Sequence, residues 1–313
     1  MRRKKGLLLL SLVLVLVVLA GCSTVENDVK ASEEIPEQIE DIVEVLSVTD
    51  DFGRTIEFES PVESIVTFAP SNTEILFAIG AGDTVKGVTA FDDYPEEVLE
   101  IEKIGDYNGI NLERIIELEP EVVIFYGKGA DDEVNRLEEA GITVLGFEPE
   151  SIEEIIDVIE RMGTLTGKST EAQELAESMA SKKEELVGKV ENFEKKKVFY
   201  EIWHEPLMAA GAGSFVDQLI ILAGGENIAA DSESEYPQFD LEQLIERNPE
   251  VYLTANDLPE KTADSIGQRP GYDELDAVKN GQIYLLDGNL MSRPGPRIIE
   301  ALELLVEAIH PEA

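Results

Sequence analysis

The sequence predicts an α/β protein with two lobes of related architecture and a cleft between them. Short runs rich in β-branched and aromatic residues alternate with helical stretches, a pattern typical of parallel sheets covered by helices. The segment 111–122 recurs at 240–251 with seven identical positions. Because the two copies lie on opposite sides of one long predicted helix, the repeat indicates two related halves joined by that helix.

The first residues predict export. Basic residues at 2–5 precede an apolar run at 7–19, and small residues lead to Cys22, the only cysteine. The run is too short for a mature membrane span. Residues 1–21 are therefore predicted to be a lipoprotein signal peptide and Cys22 the lipidated residue. The acidic segment 22–45 is predicted to be a flexible tether to the membrane. A single cysteine also excludes an intramolecular disulfide.

The charge balance narrows the choice of partners. The chain carries 25 basic and 66 acidic side chains, a formal net charge of −41. Such a surface repels nucleic acid, so a nucleic-acid partner is excluded. The balance indicates a solvated acidic coat that keeps the protein soluble.

The N-terminal lobe is predicted at residues 46–168. Strands are expected at 65–69, 85–89, 122–126 and 144–147. Ser71, with Glu74 three residues later, predicts a capping box that opens a helix. A second helix is expected at 151–162, where Gly163 follows.

A connecting helix segment is predicted at 169–194. Its helix, capped by Ser169 or Thr170 and running to about Asn192, would be about 33 Å long at ~1.5 Å per residue. The C-terminal lobe is predicted at 195–313. Its expected strands are 198–202, 251–254 and 283–286, and its expected helices are 214–223 and 296–309.

The repeat places Glu113 and Glu242 at the second position of two short predicted helices. A carboxylate there interacts favourably with the positive helix end, by ~0.3–1 kcal/mol, and this alone can explain both residues. The alternative is that each lobe presents one exposed acidic side chain to a symmetric partner. The repeat by itself leaves both explanations open.

Catalytic and metal motifs are scarce in the sequence. His204 and His310 are the only histidines, and neither lies in a zinc-protease motif. Neither a zinc ligand set nor a nucleophile elbow is present. No catalytic residue, bound metal or cofactor is therefore predicted.

Aromatic residues follow the predicted strands. In open α/β sheets, ligands bind outside the carboxyl ends of the strands, where aromatic side chains form flat walls suited to a large ring-bearing ligand. Arg293 adds hydrogen-bond donors near the same edge. The candidate aromatic residues are Phe91, Tyr94, Tyr107, Tyr126, Trp203 and Tyr236.

Seven short segments, in order, resemble the periplasmic binding proteins for vitamin B12, ferric siderophores and haem. These segments are 48–54 (VTDDFGR), 70–74 (PSNTE), 93–95 (DYP), 111–115 (NLERI), 224–228 (GGENI), 269–272 (RPGY) and 295–298 (GPRI). Each is weak alone, and together they cover the chain from Val48 to about Ile309.

The resemblance implies two Rossmann-like lobes joined by one long helix, with the ligand in the cleft and little closure motion. It implies a monomer anchored outside the cytoplasm by lipid. Its partners would be an ABC permease dimer with its ATPase. The positions matching the family's docking glutamates, which engage permease arginines, are Glu113 and Glu242.

Within the family, the chain is most similar to the vitamin B12 binders, which implies a corrinoid ligand. Phe91, Tyr107, Tyr126 and Tyr236 match aromatic pocket walls, and Arg293 matches a pocket arginine. The segment 202–208 departs from the family pattern, so a haem or a ferric siderophore remains an alternative ligand. His204 or a tyrosine could then ligate haem iron.

Two alternatives of other classes also remain open. An exported enzyme on the same scaffold would need a catalytic group in the cleft, and His204 is the candidate for it. A solute sensor for a membrane receptor would have the same sequence features as a transport protein.

Overall fold

A computed structural model describes residues 45–106 and 109–313 of the chain. The predicted signal peptide, Cys22, Tyr107 and all of the predicted tether except Val45 lie outside these residues. Within the described part, strands and helices alternate as the sequence pattern predicts.

The N-terminal lobe begins with a hairpin and continues as a mostly parallel sheet. Its strands are β1 (Leu46–Thr49), β2 (Thr55–Phe58), β3 (Ile65–Phe68), β4 (Val85–Thr89), β5 (Glu102–Asp106), β6 (Gly109–Ile110), β7 (Val122–Tyr126) and β8 (Thr143–Phe147). The sheet has the order β6-β5-β4-β3-β7-β8, and within it only β6 runs antiparallel to its neighbour. The hairpin of β1 and β2 is a separate, antiparallel pair.

The C-terminal lobe contains the second sheet. Its strands are β9 (Lys196–Trp203), β10 (Met208–Ala209), β11 (Gly225–Asn227), β12 (Val251–Ala255) and β13 (Ile283–Leu286). The order is β10-β9-β12-β13, and β11 pairs with the first residues of β9. All pairings are parallel except that of β10 with β9.

Helices cover both sheets. They are α1 (Pro70–Ala78), α2 (Leu112–Leu118), α3 (Asp131–Glu139), α4 (Ile152–Thr166), α5 (Ser169–Val190), α6 (Phe215–Leu222), α7 (Leu241–Arg247), α8 (Ala263–Gly267), α9 (Asp276–Lys279), α10 (Gly288–Ser292) and α11 (Ile298–Ile309). Short 3₁₀ helices span Gly82–Thr84, Glu96–Glu100 and Tyr272–Glu274. Helix α5 connects the two sheets in sequence and packs on α4 and α11. In the described part of the chain, no helix combines the length and the apolar character needed to cross a bilayer.

Each sheet is buried on both faces because its strand residues alternate between two cores. In β3, Ile65 lies in a core that continues from one sheet to the other, whereas Val66 lies in a smaller core on the opposite face. In β9, Val198 joins the shared core and Phe199 joins a core confined to the C-terminal lobe. The predicted fold class is confirmed, while the lobe boundaries at 168 and 195 stay predictions.

Two predicted helix caps are wrong. Helix α1 begins at Pro70, with Ala69 as an extended N-cap and without a side-chain cap, because the fixed φ of proline suits the first helical position. Ser71 therefore lies inside the helix, and Glu74 forms ion pairs instead of a capping box. Helix α5 begins at Ser169, as the predicted bounds have it, but its N-cap is Lys168, and the helix ends at Val190 instead of 194.

Helix α4 is longer than predicted. Ser151 caps it, by accepting a hydrogen bond from the Glu154 backbone, as the sequence suggests. The helix continues through the buried Gly163 to Thr166 and ends where Gly167 adopts a left-handed conformation with φ 67°. Glycine is the residue that adopts this conformation at little cost.

Candidate functional site

The carboxyl ends of strands from both sheets border a cleft, as expected for ligand sites in α/β proteins. Tyr126 is the last residue of β7, Ala255 is the last of β12, and Asp287 directly follows β13. Two adjoining cavities of about 710 Å³ and 520 Å³ occupy the cleft. Both are lined by Tyr126, Tyr236, Ser292 and Pro294.

Tyr126 and Tyr236 come from opposite lobes and line both cavities. Their side chains are 41% and 45% exposed, so their rings are available to a ligand. Partial burial, together with the carboxylates Glu148 and Glu150, raises the pKa of Tyr126 to about 12. Burial and Glu235 also raise the pKa of Tyr236. Both phenols are therefore neutral hydrogen-bond donors at physiological pH.

The other predicted site residues divide into two groups. Phe91 and Arg293 line the smaller cavity. Trp203, His204 and Tyr94 are not among the described residues that line either cavity. The structure therefore brings together four of the predicted residues, namely Phe91, Tyr126, Tyr236 and Arg293.

Trp203 and His204 belong to the ribbon formed by β9 and β10. The Trp203 indole N–H donates to the Glu205 carbonyl at 2.8 Å, and the residue is 49% exposed. His204 Nε2 lies 3.8 Å from a Glu205 carboxylate oxygen. Tyr94 instead packs its ring on the Arg297 guanidinium, whose central carbon is 4.0 Å from the ring centroid.

Arg293 belongs to a charged cluster that joins the two lobes. Its Nη1 donates to Glu74 Oε1 at 3.0 Å and to Asp93 Oδ1 at 2.6 Å, and its Nη2 donates to the Phe91 carbonyl at 3.1 Å. Arg297 donates from Nε and Nη2 to the two oxygens of Glu74, at 2.9 and 2.7 Å. Burial acts to lower the pKa of Arg293, but its hydrogen bonds to Asp93 and Glu74 outweigh this and raise it.

The Glu74 carboxylate is the centre of this cluster, since its side chain is only 2% exposed and it binds both arginines. Glu74 lies on α1 in the N-terminal lobe, whereas both arginines lie in the C-terminal lobe. The motif residues 70–74 and 295–298 therefore form a contact between the lobes at the edge of the cleft.

A second buried cluster supports the floor of the larger cavity. Glu201 borders this floor, is fully buried, and accepts hydrogen bonds from Arg269 and from the Tyr252 hydroxyl. The Arg269 guanidinium also lies 5.4 Å from the centre of the Tyr272 ring. The motif 269–272 therefore has a structural role here, because it fixes the strand residue Glu201 beneath the cavity.

Several lining residues were missed by sequence reasoning. They are polar residues that directly follow the strands of the C-terminal sheet: Asn256, Asp257, Asp287 and Asn289. Their position after β12 and β13 is the signal that could have identified them, because strand ends face the cleft.

The two repeat copies adopt the same local structure. Asn111 accepts a hydrogen bond from the Arg114 backbone, and Asp240 accepts one from the Gln243 backbone. Helices α2 and α7 each span seven residues and end at a left-handed residue. Glu113 and Glu242 are both exposed at the second position of these helices. The two glutamates therefore occupy equivalent positions on equivalent short helices.

The histidines and acids of the described residues also bear on metal binding. In residues 45–106 and 109–313, no group of three or more His, Cys, Asp or Glu side chains is arranged to hold a metal ion. His310 is buried, and its Nε2 lies 3.1 Å from the Gly224 carbonyl.

Comparison with known proteins gives consistent matches. The family model described as "Periplasmic binding protein" matches residues 65–290. An uncharacterised ABC transporter substrate-binding lipoprotein of Bacillus subtilis is 33% identical over 99% of this chain and 98% of its own. The periplasmic vitamin B12 binding protein of Vibrio cholerae superposes with a TM-score of 0.70 and 30% identity, over 80% of this chain and 97% of the other. A periplasmic haem-binding protein of Roseiflexus sp. RS-1 superposes with a TM-score of 0.72 and 26% identity, over 80% and 98% of the two chains.

Proposed function

We propose a function from the premise that this chain belongs to the periplasmic binding protein family: it is an extracytoplasmic lipoprotein that captures a corrinoid or an iron chelate and delivers it to an ABC importer permease. The observation that carries the proposal is the interlobe cleft, in which Tyr126 and Tyr236 from opposite lobes line both cavities. Cavities of this size, with aromatic walls and a few polar groups, are typical of ligand sites.

A vitamin B12-like corrinoid is our first choice of ligand. The similarity to the vitamin B12 binding protein of Vibrio cholerae and the two tyrosine walls support it, because a broad ring can pack against both lobes. The similarity to a haem-binding protein supports haem as the alternative, and a ferric siderophore would also suit aromatic walls. We propose that the protein binds its ligand without transforming it.

The membrane anchor and the docking residues are parts of the same proposal. We propose that Cys22 carries the lipid, which is supported by a near full-length match to a relative named as a lipoprotein. We also propose that Glu113 and Glu242 contact arginines of a permease dimer, since they are exposed at equivalent positions in the two lobes. A monomer with two such sites fits a symmetric partner.

Binding of candidate ligands tests the proposal. The described residues all belong to one compact unit, so a chain beginning at Ser23 retains the cleft. We expect saturable binding of cyanocobalamin, a neutral ferric hydroxamate or hemin in isothermal titration calorimetry. The released ligand should be chemically unchanged by mass spectrometry. Absence of binding to all three, or turnover that is lost in His204→Ala, would contradict the proposal.

Replacing either cleft tyrosine should weaken binding without unfolding the protein. For Tyr126→Ala and Tyr236→Ala we expect about tenfold weaker affinity each, because each removes an aromatic wall worth ~1–1.5 kcal/mol. Thermal stability should change little, because both side chains are nearly half exposed. Leu99→Ala is the control, since Leu99 is 55% exposed and lies outside both cavities. Unchanged affinity in both tyrosine variants would place the ligand elsewhere.

A further inference from the structure

Acidic side chains dominate the charged lining of the cleft. In the described part of the chain, Glu201, Asp257 and Asp287 line the larger cavity, which has no basic lining residue. Asp106 and Arg293 line the smaller one. A ligand in the larger cavity therefore meets carboxylates and polar amides, together with aromatic and apolar side chains.

The cations nearest the larger cavity lie behind its wall. Arg269 pairs with Glu201 from the buried side and is not a lining residue. Lys261 Nζ lies 2.6 Å from Asp257 Oδ1 and also donates to Thr254 Oγ1 at 3.2 Å and to the Ala255 carbonyl at 3.1 Å. Its side chain is 8% exposed, and these three acceptors match the three protons of an ammonium group. Neither cation is therefore available to a ligand, but each balances the charge of the carboxylate with which it pairs. Asp287 differs, because its carboxylate accepts hydrogen bonds from the backbone of Asn289 and Leu290 and forms no ion pair with a described residue. It carries the uncompensated negative charge of this wall.

The lining arginine of the smaller cavity is already engaged. Both terminal nitrogens of Arg293 donate hydrogen bonds within the interlobe cluster, to Glu74, Asp93 and the Phe91 carbonyl. In that cluster the two carboxylates balance the charges of Arg293 and Arg297. The arginine consequently adds little positive potential to the cleft.

Two further acids, Glu148 and Glu150, lie near Tyr126, which lines both cavities. Gly127 directly follows Tyr126, and Glu148 lies beside it. The Glu148 carboxyl carbon is 3.9 Å from the point where a side chain on Gly127 would begin. The Glu150 carbonyl accepts a hydrogen bond at 2.8 Å from Gln218 of the opposite lobe, which places Glu150 at the lobe junction. The raised pKa of Tyr126, to which both glutamates contribute after burial, is consistent with a negative potential there.

From this arrangement, and resting on the proposed function, we infer that the cleft selects its ligand by charge, with Asp287 as a specificity-determining residue. It accepts a metal complex without net negative charge and discriminates against anionic ones, because like charges brought together in a partly dry cleft repel each other. Carboxylate-bearing ligands such as haem, and anionic iron chelates, are disfavoured on this basis. A neutral corrinoid meets this charge requirement.

A pair of corrinoids that differ by one charge provides the test. Cyanocobalamin is neutral, and hydrolysis of one of its side-chain amides gives a monocarboxylate of nearly the same shape. We expect the monocarboxylate to bind about tenfold more weakly at low ionic strength. The difference should shrink at about 0.5 M salt, where exposed charges are screened over a few ångströms.

A variant connects this difference to Asp287. Asp287→Asn should reduce it to about threefold or less, because the uncompensated negative charge leaves the wall. Asparagine preserves the shape of the side chain and can still cap α10, whose N-cap is Asp287. The control, Glu174→Gln, removes the same charge from an exposed position on α5 outside the cavities and should leave the difference unchanged.

The outcomes separate this inference from the proposed function. If cyanocobalamin does not bind, the same comparison is made with a neutral ferric trihydroxamate and an anionic ferric tricatecholate. Equal affinity for neutral and anionic partners, or a difference that persists in the aspartate variant, overturns the charge selection while the binding role stands. Failure of every probe to bind overturns the binding role, and the charge selection with it.

Discussion

A double variant, Glu113→Ala with Glu242→Ala, is expected to abolish ligand uptake by cells while leaving ligand affinity within about twofold of the unchanged protein. Truncating a charge that pairs with an arginine across an interface costs about 2–5 kcal/mol, so two such losses should prevent stable docking. Both carboxylates are exposed on short helices, and neither is among the residues that line the two cleft cavities. Their removal should therefore not disturb the bound ligand.

Each single variant should have an intermediate effect. The two helices have matching caps and lengths, so each lobe would contribute a comparable share of the docking energy. The measurements are uptake of labelled ligand in cells that carry the transporter, and ligand affinity by calorimetry on the purified protein.

A matched control lies one helical turn away in each repeat copy. Glu117→Ala with Glu246→Ala removes the same charge from exposed positions of the same two helices. We expect near-normal uptake from this control. If both double variants reduce uptake equally, general surface charge and not a specific pair of glutamates guides docking. If ligand affinity falls together with uptake, the docking assignment is wrong.

Local patterns predicted most of the secondary structure. The run at 122–126 is a strand with those bounds because an apolar segment lies between Pro120 and Gly127, two residues that interrupt regular structure. The repeat predicted two helix–strand units, and both formed because each copy has its own N-cap residue and its own proline stop. Such features depend on neighbours in the sequence, and so the secondary structure they specify can be predicted without knowledge of the fold.

Contacts between distant segments could not be predicted in this way. Glu74 binds Arg293 and Arg297 across separations of 219 and 223 residues, and the local pattern around Glu74 indicated a cap instead. Trp203 shows the same limit. It ends a strand at the edge of the cleft, but the turn that follows holds its indole by a hydrogen bond to Glu205. The direction of a side chain at a strand end depends on the next turn and on the opposite lobe.

The interlobe cluster carries the second large expected effect: Glu74→Gln should lower the free energy of unfolding by about 3 kcal/mol. The substitution removes the one carboxylate that binds both arginines and leaves their charges largely buried, with side chains 11% and 18% exposed. Removing one partner of a buried pair is costly for this reason. Thermal and urea unfolding would measure the change, which corresponds to a melting temperature lower by roughly 10 °C.

A surface pair provides the comparison for this effect. Glu102 pairs with Arg114 where both side chains are more than a third exposed, so Glu102→Gln should change stability little. A triple variant with Glu74, Arg293 and Arg297 all replaced by methionine should recover part of the loss, because no buried charge then lacks a partner. Equal stability of Glu74→Gln and Glu102→Gln would mean that the interlobe cluster contributes no more than a surface pair.

The same substitution should also affect the ligand. Arg293 lines the smaller cavity while it holds Glu74 of the opposite lobe, so the cluster couples cleft geometry to the relative position of the lobes. If the cluster limits lobe motion, Glu74→Gln should increase the ligand dissociation rate more than it decreases the association rate, since affinity changes usually appear in dissociation. Stopped-flow measurement of both rates would check this. A loss of stability with unchanged dissociation would mean that the cluster supports the fold without restraining the cleft.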